Sequence, residues 1–177
     1  MGELIRYQCE NCDFTFLKDK PFLFYFDSEK EKLHEIPGTL LAVNVIKDEM
    51  LQGSIYTGYC NHCGEFIKVY VPADKDIIEG KHVYESMKPN PNKELIDEYN
   101  LYKDHNTYTK EEVKGIFEKY CKTDPKFYDI NFNSPSIDFN NYPCSNCKKS
   151  IKIDIDEPFC PKCEEETLKA IRMELID

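Results

Sequence analysis

Ile55-Tyr56-Thr57-Gly58-Tyr59-Cys60-Asn61-His62-Cys63-Gly64-Glu65-Phe66-Ile67-Lys68-Val69-Tyr70-Val71 carries the pattern that decides the fold. A β-prone stretch runs into a Cys-x-x-Cys turn, and a cleanly alternating stretch runs out of it. A strand entering and a strand leaving one tight turn make a hairpin with two sulfurs at its tip.

The same frame occurs three more times, at Cys9-Glu-Asn-Cys12, Cys144-Ser-Asn-Cys147 and Cys160-Pro-Lys-Cys163, and only Cys121 of the nine cysteines stands alone. Two intervening residues let one turn aim both sulfurs at a single point. Two facing turns then supply the tetrahedral four-thiolate set that Zn²⁺ favours, at about 2.3 Å per bond. The candidate metal ligands are therefore Cys9, Cys12, Cys60, Cys63, Cys144, Cys147, Cys160 and Cys163, enough for two zinc ions. Four turns can pair in three ways. Twelve residues separate Cys147 from Cys160, so a local site from Cys144, Cys147, Cys160 and Cys163 is expected. Cys9 and Cys12 would then join Cys60 and Cys63 across forty-seven residues, a closure whose cost grows only slowly with length. An interleaved arrangement is the alternative.

Other cysteine chemistries fit less well. Structural disulfides need an oxidising compartment and leave one cysteine over. A thioredoxin-like motif needs one such frame opening a helix, not four. A rubredoxin-like iron site is the nearest competitor, but glycine follows the second cysteine only at Gly64, with Asp13, Lys148 and Glu164 in the other three places. The cysteine run typical of a [4Fe–4S] cluster is absent.

The frames Tyr7-Gln8-Cys9-Glu10-Asn11-Cys12, Tyr59-Cys60-Asn61-His62-Cys63-Gly64 and Phe159-Cys160-Pro161-Lys162-Cys163 resemble knuckles of the zinc-ribbon superfamily. An aromatic or apolar residue lies just before the first cysteine in each. The resemblance covers the ligands and their hairpins, a minority of the chain. It implies β-hairpin ribbons and no single activity, because such ribbons serve many unrelated functions.

The chain has 177 residues, 41% of them hydrophobic and 32% charged, and a formal net charge of −10. Eight thiolates and two Zn²⁺ would take that to about −14. Such a charge repels phosphate backbones unless a local basic patch overrides it. Lys148, Lys149 and Lys152 are the best local candidate, a short one that reads more simply as a solvated face. The start Met1-Gly2-Glu3-Leu4-Ile5-Arg6 has no apolar run, and no stretch reaches the length of a membrane span. A cytoplasmic location, where thiols stay reduced, is the expectation.

The fold class expected is α+β. Residues 1–88 read as an antiparallel β domain built on a zinc ribbon, with about five strands over 13–72. These include a hairpin from Phe22–Phe26 to Lys32–Ile36 and a β-branched run at Thr39–Ile46. A polar linker at 73–92 leads into residues 89–177, expected as helices followed by a second small ribbon. Helices are expected at Glu94–Tyr102 and from the capping box Thr109-Lys110-Glu111-Glu112 to about Lys122, then loop over 123–143. Ser150–Asp156 alternates as a strand. A last helix is expected from Glu164 to Ile176, where Leu168, Ile171 and Leu175 share a stripe and three glutamates suit the N-terminal dipole. Cys121, beside the second helix's stripe, reads as a half-buried core thiol.

No catalytic constellation emerges. His34, His82 and His105 are isolated, and His62 lies between two cysteines with its ring expected to face solvent. A catalytic zinc keeps an open position, whereas eight cysteines fill two sites without remainder. The leading reading is a zinc-braced adaptor or regulatory module that binds another protein. An RNA-binding ribbon, stacking bases on Tyr99, Tyr102, Tyr108 or Tyr142, and a rubredoxin-like carrier are the alternatives.

Overall fold

The computed structural model describes residues 2–20, 22–37, 51–73, 108–121, 127–133 and 136–176. The expected helix at Glu94–Tyr102 and the run Thr39–Ile46 lie outside these residues, as does all of the 73–92 linker except Ala73.

The first sheet has three strands. β1 (Gly2–Cys9) lies between β2 (Thr15–Lys20) and β10 (Leu168–Ile176), antiparallel to both. Ile5, Tyr7 and Cys9 are buried while Arg6 and Gln8 are exposed, so the sheet covers a core on one face only. That core contains Phe14, Ile155, Cys160 and Leu168. The register shifts between Arg6 and Tyr7, whose partners are Arg172 and Ala170, leaving Ile171 as an extra residue in β10.

β10 corrects the expected C-terminal helix. The spacing of Leu168, Ile171 and Leu175 suits a helical stripe, yet Leu168 is buried while Ile171 and Met173 are more than half exposed. Backbone pairing with β1 along the strand outweighs that weak local pattern. The acidic run starts no helix either. Glu164 has φ +62° and finishes a turn.

The second sheet holds β3 (Phe22–Asp27), β4 (Lys32–Pro37), β5 (Gln52–Cys60), β6 (Glu65–Pro72) and β7 (Tyr128–Ile130), in the order β4-β3-β5-β6-β7. Only β6 and β7 are parallel. The hairpin read at Phe22–Ile36 is present, with Asp27 facing Lys32 across its turn. β7 falls in a stretch read as loop.

This sheet is covered on both faces. On one lies α1 (Lys110–Tyr120), started by the expected capping box: Glu112 N donates to Thr109 Oγ1 at 3.2 Å and Thr109 N donates to Glu112 Oε2 at 2.7 Å. Its Val113 and Phe117 are fully buried, with the Phe117 ring 4.7 Å from Tyr70 and 5.3 Å from Phe24. On the other face Ile67, Val69 and Val71 meet Tyr142, Ile151 and Ile153. Tyr142 and Ile151 belong to a minimal hairpin of β8 (Tyr142–Pro143) and β9 (Ser150–Ile151).

The α+β assignment is thus overturned. Ten strands and one helix make up the described residues, which are mostly β. The expected small C-terminal ribbon is not a closed unit either, because its two knuckles face different partners.

Candidate metal centres

Each long hairpin ends in a knuckle. Cys9 closes β1 and Cys12 precedes β2; Cys60 closes β5 and Cys63 precedes β6. The four turns share one construction. Cys9 N donates to Phe14 O at 3.0 Å, Cys144 N to Lys149 O at 2.8 Å and Cys160 N to Glu165 O at 2.8 Å, while Cys60 pairs with Glu65 in the β5–β6 ladder. In each case the partner is five residues on. In three turns the residue after the second cysteine adopts a left-handed conformation: Gly64 (φ +72°), Lys148 (φ +63°) and Glu164 (φ +62°). Its amide bonds back to the first cysteine's carbonyl at 2.7 to 2.9 Å. Lys148 and Glu164 hold there a geometry that glycine adopts at less cost.

The structure gathers all eight sequence-predicted ligands into two groups, Cys9, Cys12, Cys160 and Cys163, and Cys60, Cys63, Cys144 and Cys147. The four sulfurs of each lie within 4.8 Å of one another. The expected local pairing is therefore incorrect. The outermost knuckles join each other, and the inner two join within them. Loop length does not decide between these options, because closure cost rises only logarithmically. What decides is the β1–β10 ladder, which carries Leu168, five residues beyond Cys163, to the position opposite Cys9.

The donor set fits a tetrahedral metal. Cys9 Sγ is 3.7 Å from Cys163 Sγ, Cys12 Sγ is 3.8 Å from Cys160 Sγ, and Cys60 Sγ is 3.6 Å from Cys147 Sγ. Four sulfurs at about 2.3 Å from a common centre stand about 3.8 Å apart. A disulfide would need about 2.05 Å, and all nine cysteines are free.

Surrounding groups bias the thiols. Burial raises Cys9, but the Thr167 hydroxyl at 3.0 Å and the amides of Asn11 and Cys12, both at 3.3 Å, more than offset it and bring the thiol down to about 6. The Lys149 amide does the same for Cys147, against burial, bringing it to about 7. Conversely, burial pushes Cys160 up to about 12, and the hydrogen bond with Cys147 pushes Cys63 up to about 12. Burial also raises Cys12 and Cys60. Packed thiolates repel, so each group concentrates charge on the sulfur that accepts the best hydrogen bonds, Cys9 in one and Cys147 in the other, until a cation allows the others to ionise. Thr167, which also lies 3.6 Å from Cys163 Sγ, is a member of the outer site that the sequence reading missed. At the inner site the residue missed is Asn146, whose Nδ2 donates to Cys63 Sγ at 3.5 Å. Neither carries a motif signal beyond its closeness to a cysteine.

Polar contacts hold the outer knuckles together. Asn11 Nδ2 donates to Glu165 Oε2 at 2.7 Å, Lys162 pairs with Asp13 at 2.5 Å and Lys169 with Glu10 at 2.8 Å. The Lys162 ammonium holds the Asp13 carboxyl below its ordinary value.

Other candidates are placed elsewhere. His62 is exposed on its turn. Cys121 packs against the helix core, 3.5 Å from the Tyr70 hydroxyl. Tyr142 is buried and donates to Asp129 Oδ2 at 2.6 Å, and Tyr108 is half-buried against Phe26, so neither offers a free face for a base. Tyr99 and Tyr102 lie outside the described residues. Lys148 and Lys149 are exposed, whereas Lys152 is half-buried and lies over the Phe159 ring. Among the described residues no helix is long and apolar enough to cross a membrane.

No protein-family model matches the chain, and neither the curated proteins nor the solved structures give a significant match.

Proposed function

We propose that the protein is a cytoplasmic zinc protein in which two ions, each held by four thiolates, brace a β scaffold that docks another protein. The observation that carries the zinc reading is the sulfur spacing of 3.6 to 3.8 Å in groups of four cysteines. Such a set has no open position, so the metal supplies cross-links and not a reactive water. Bound zinc in comparable modules is worth roughly 10–16 kcal/mol of apparent binding free energy, which appears as folding free energy. Here that energy ties β1 and β2 to the segment before β10, and the tip of β5–β6 to the β8–β9 turn.

The adaptor role is supported by the closed metal sites and by a formal charge of −10, which disfavours nucleic-acid backbones. Elemental analysis of protein purified without added metal tests the foundation. Two zinc atoms per chain and a colourless solution are expected; a red protein containing iron would replace this reading with that of an electron carrier. Recovery of a defined partner from native lysate, lost on chelation and regained with zinc, tests the docking role.

A further inference from the structure

We infer that the two metal sites load as a coupled pair, each ion raising the affinity of the site it does not occupy. This rests on the metal-binding reading above and adds to it how occupancy is regulated.

The first ground is topology. The outer site joins Cys12 to Cys160 around a loop of 147 residues that contains the whole inner site. Once the inner site closes, only forty-seven residues before it and twelve after it remain to be ordered. Loop-closure entropy alone then favours the outer site by about fourfold. Local pairing of neighbouring knuckles would give no such benefit.

The second ground is direct contact between the two sites. Phe14, on the outer hairpin, has its ring 5.1 Å from Tyr59 and 5.9 Å from Phe66, which flank the inner knuckle; Phe16 stacks on Phe66 at 5.4 Å. Asn61, inside an inner knuckle, donates to Glu164 at the end of an outer one.

The third ground is the stretch 148–159, which links the third knuckle to the fourth and serves both sites. Its Ile151 and Ile153 pack with Cys60 and Cys144, and its Ile155 packs with Cys9 and Cys160. Asp154 N donates to Thr57 O at 3.0 Å, so the residue between Ile153 and Ile155 is anchored on β5. An ion at either end therefore fixes groups that the other end needs, which is the condition for positive coupling.

The test is native mass spectrometry of the full chain, stripped of metal under reducing conditions and given one equivalent of Zn²⁺. Independent equal sites put about half the molecules in the one-zinc state. The inference expects that state to fall well below half, with metal-free and two-zinc protein dominating. As a second measurement, Cys63→Ser with Cys147→Ser disables the inner site. Cobalt titration, read by thiolate-to-metal charge transfer, is then expected to show the outer site weakened fourfold or more. One-zinc protein at half or above, with an unchanged outer-site affinity in the variant, overturns the coupling and leaves the metal reading standing. Absence of Zn²⁺ and Co²⁺ binding to the unaltered chain overturns both.

Discussion

Gly58 on β5 bridges Ile153 of the C-terminal segment, and a Cβ on Gly58 would lie 2.9 Å from Ile153 Cγ2 and 3.1 Å from the Lys152 carbonyl oxygen. The close approach lets Ile153, fully buried, fill the space between the second sheet and the inner metal site. Backbone on one side and a packed side chain on the other leave no room to yield. Gly58→Ala is therefore expected to cost about 1–3 kcal/mol through overpacking. Urea denaturation of the metal-loaded protein measures it; a loss below a few tenths of a kcal/mol would mean that this seam has room for the added carbon.

The left-handed residues give a paired expectation. Lys148 has φ +63°, which costs a side-chain-bearing residue about 1–2 kcal/mol, partly offset in a glycine variant by about 0.5–1 kcal/mol of extra chain entropy. Lys148→Gly should stabilise by about 0.5 kcal/mol, because the lost contact from its ammonium to Ser145 O is exposed. Gly64→Ala should destabilise by about 1 kcal/mol through backbone strain alone, since nothing lies within 4 Å of the added carbon. Opposite signs in thermal unfolding are the check, and like signs would contradict the shared turn geometry.

These residues also show what was legible in the sequence. The ligand set was readable because two residues between cysteines is a local geometric rule, and the capping box at Thr109 is equally local. Which knuckles meet was not readable. Loop closure favours twelve residues over 147 by only about 2 kcal/mol, a preference that the β1–β10 ladder overrides in setting the partner. That ladder was itself obscured. Leu168, Ile171 and Leu175 satisfy a helical spacing, and β1 begins without an apolar run to announce a strand. β7, three residues long, is a strand only because β6 lies beside it.

Asp27 sets an acid dependence. The Lys30 ammonium at 2.9 Å, with the amides of Lys30 and Glu29 at 3.1 Å, holds its carboxyl below the ordinary value. A folded value below the unfolded one means the ionised form stabilises the fold above about pH 5 and that this contribution disappears as pH falls through the folded value. Asp27→Asn should therefore be less stable than the parent at pH 7, with the gap closing below about pH 4. A gap of constant size across the series would show that charge is not the cause.

Metal removal should act on the first sheet as a unit. β1 ends at Cys9, β2 follows Cys12, and β10 begins five residues after Cys163, so one ion held by the outer cysteines would fix one end of all three strands. After chelation under reducing conditions, hydrogen-exchange protection in β1 and β10 should fall together, by about 100-fold or more given the free energy that such sites contribute. Loss confined to the C-terminal segment, with β1 unchanged, would be the signature of a separate C-terminal ribbon.

The nested pairing has a consequence that stoichiometry reads without any fold measurement. Cys12 and Cys163 belong to the outer group, and Cys63 belongs to the inner one. Replacing Cys12 and Cys163 together by serine removes two ligands from one site and none from the other, so the protein should still bind one zinc ion at saturating metal. Replacing Cys12 and Cys63 together damages both sites, and a site left with three thiolates loses most of its affinity, so tight binding should fall to none. Under pairing of adjacent knuckles the outcomes exchange: the first variant would bind none and the second would keep one. Because the two arrangements predict opposite counts from the same pair of proteins, metal analysis after gel filtration decides between them even if both variants are less stable than the parent.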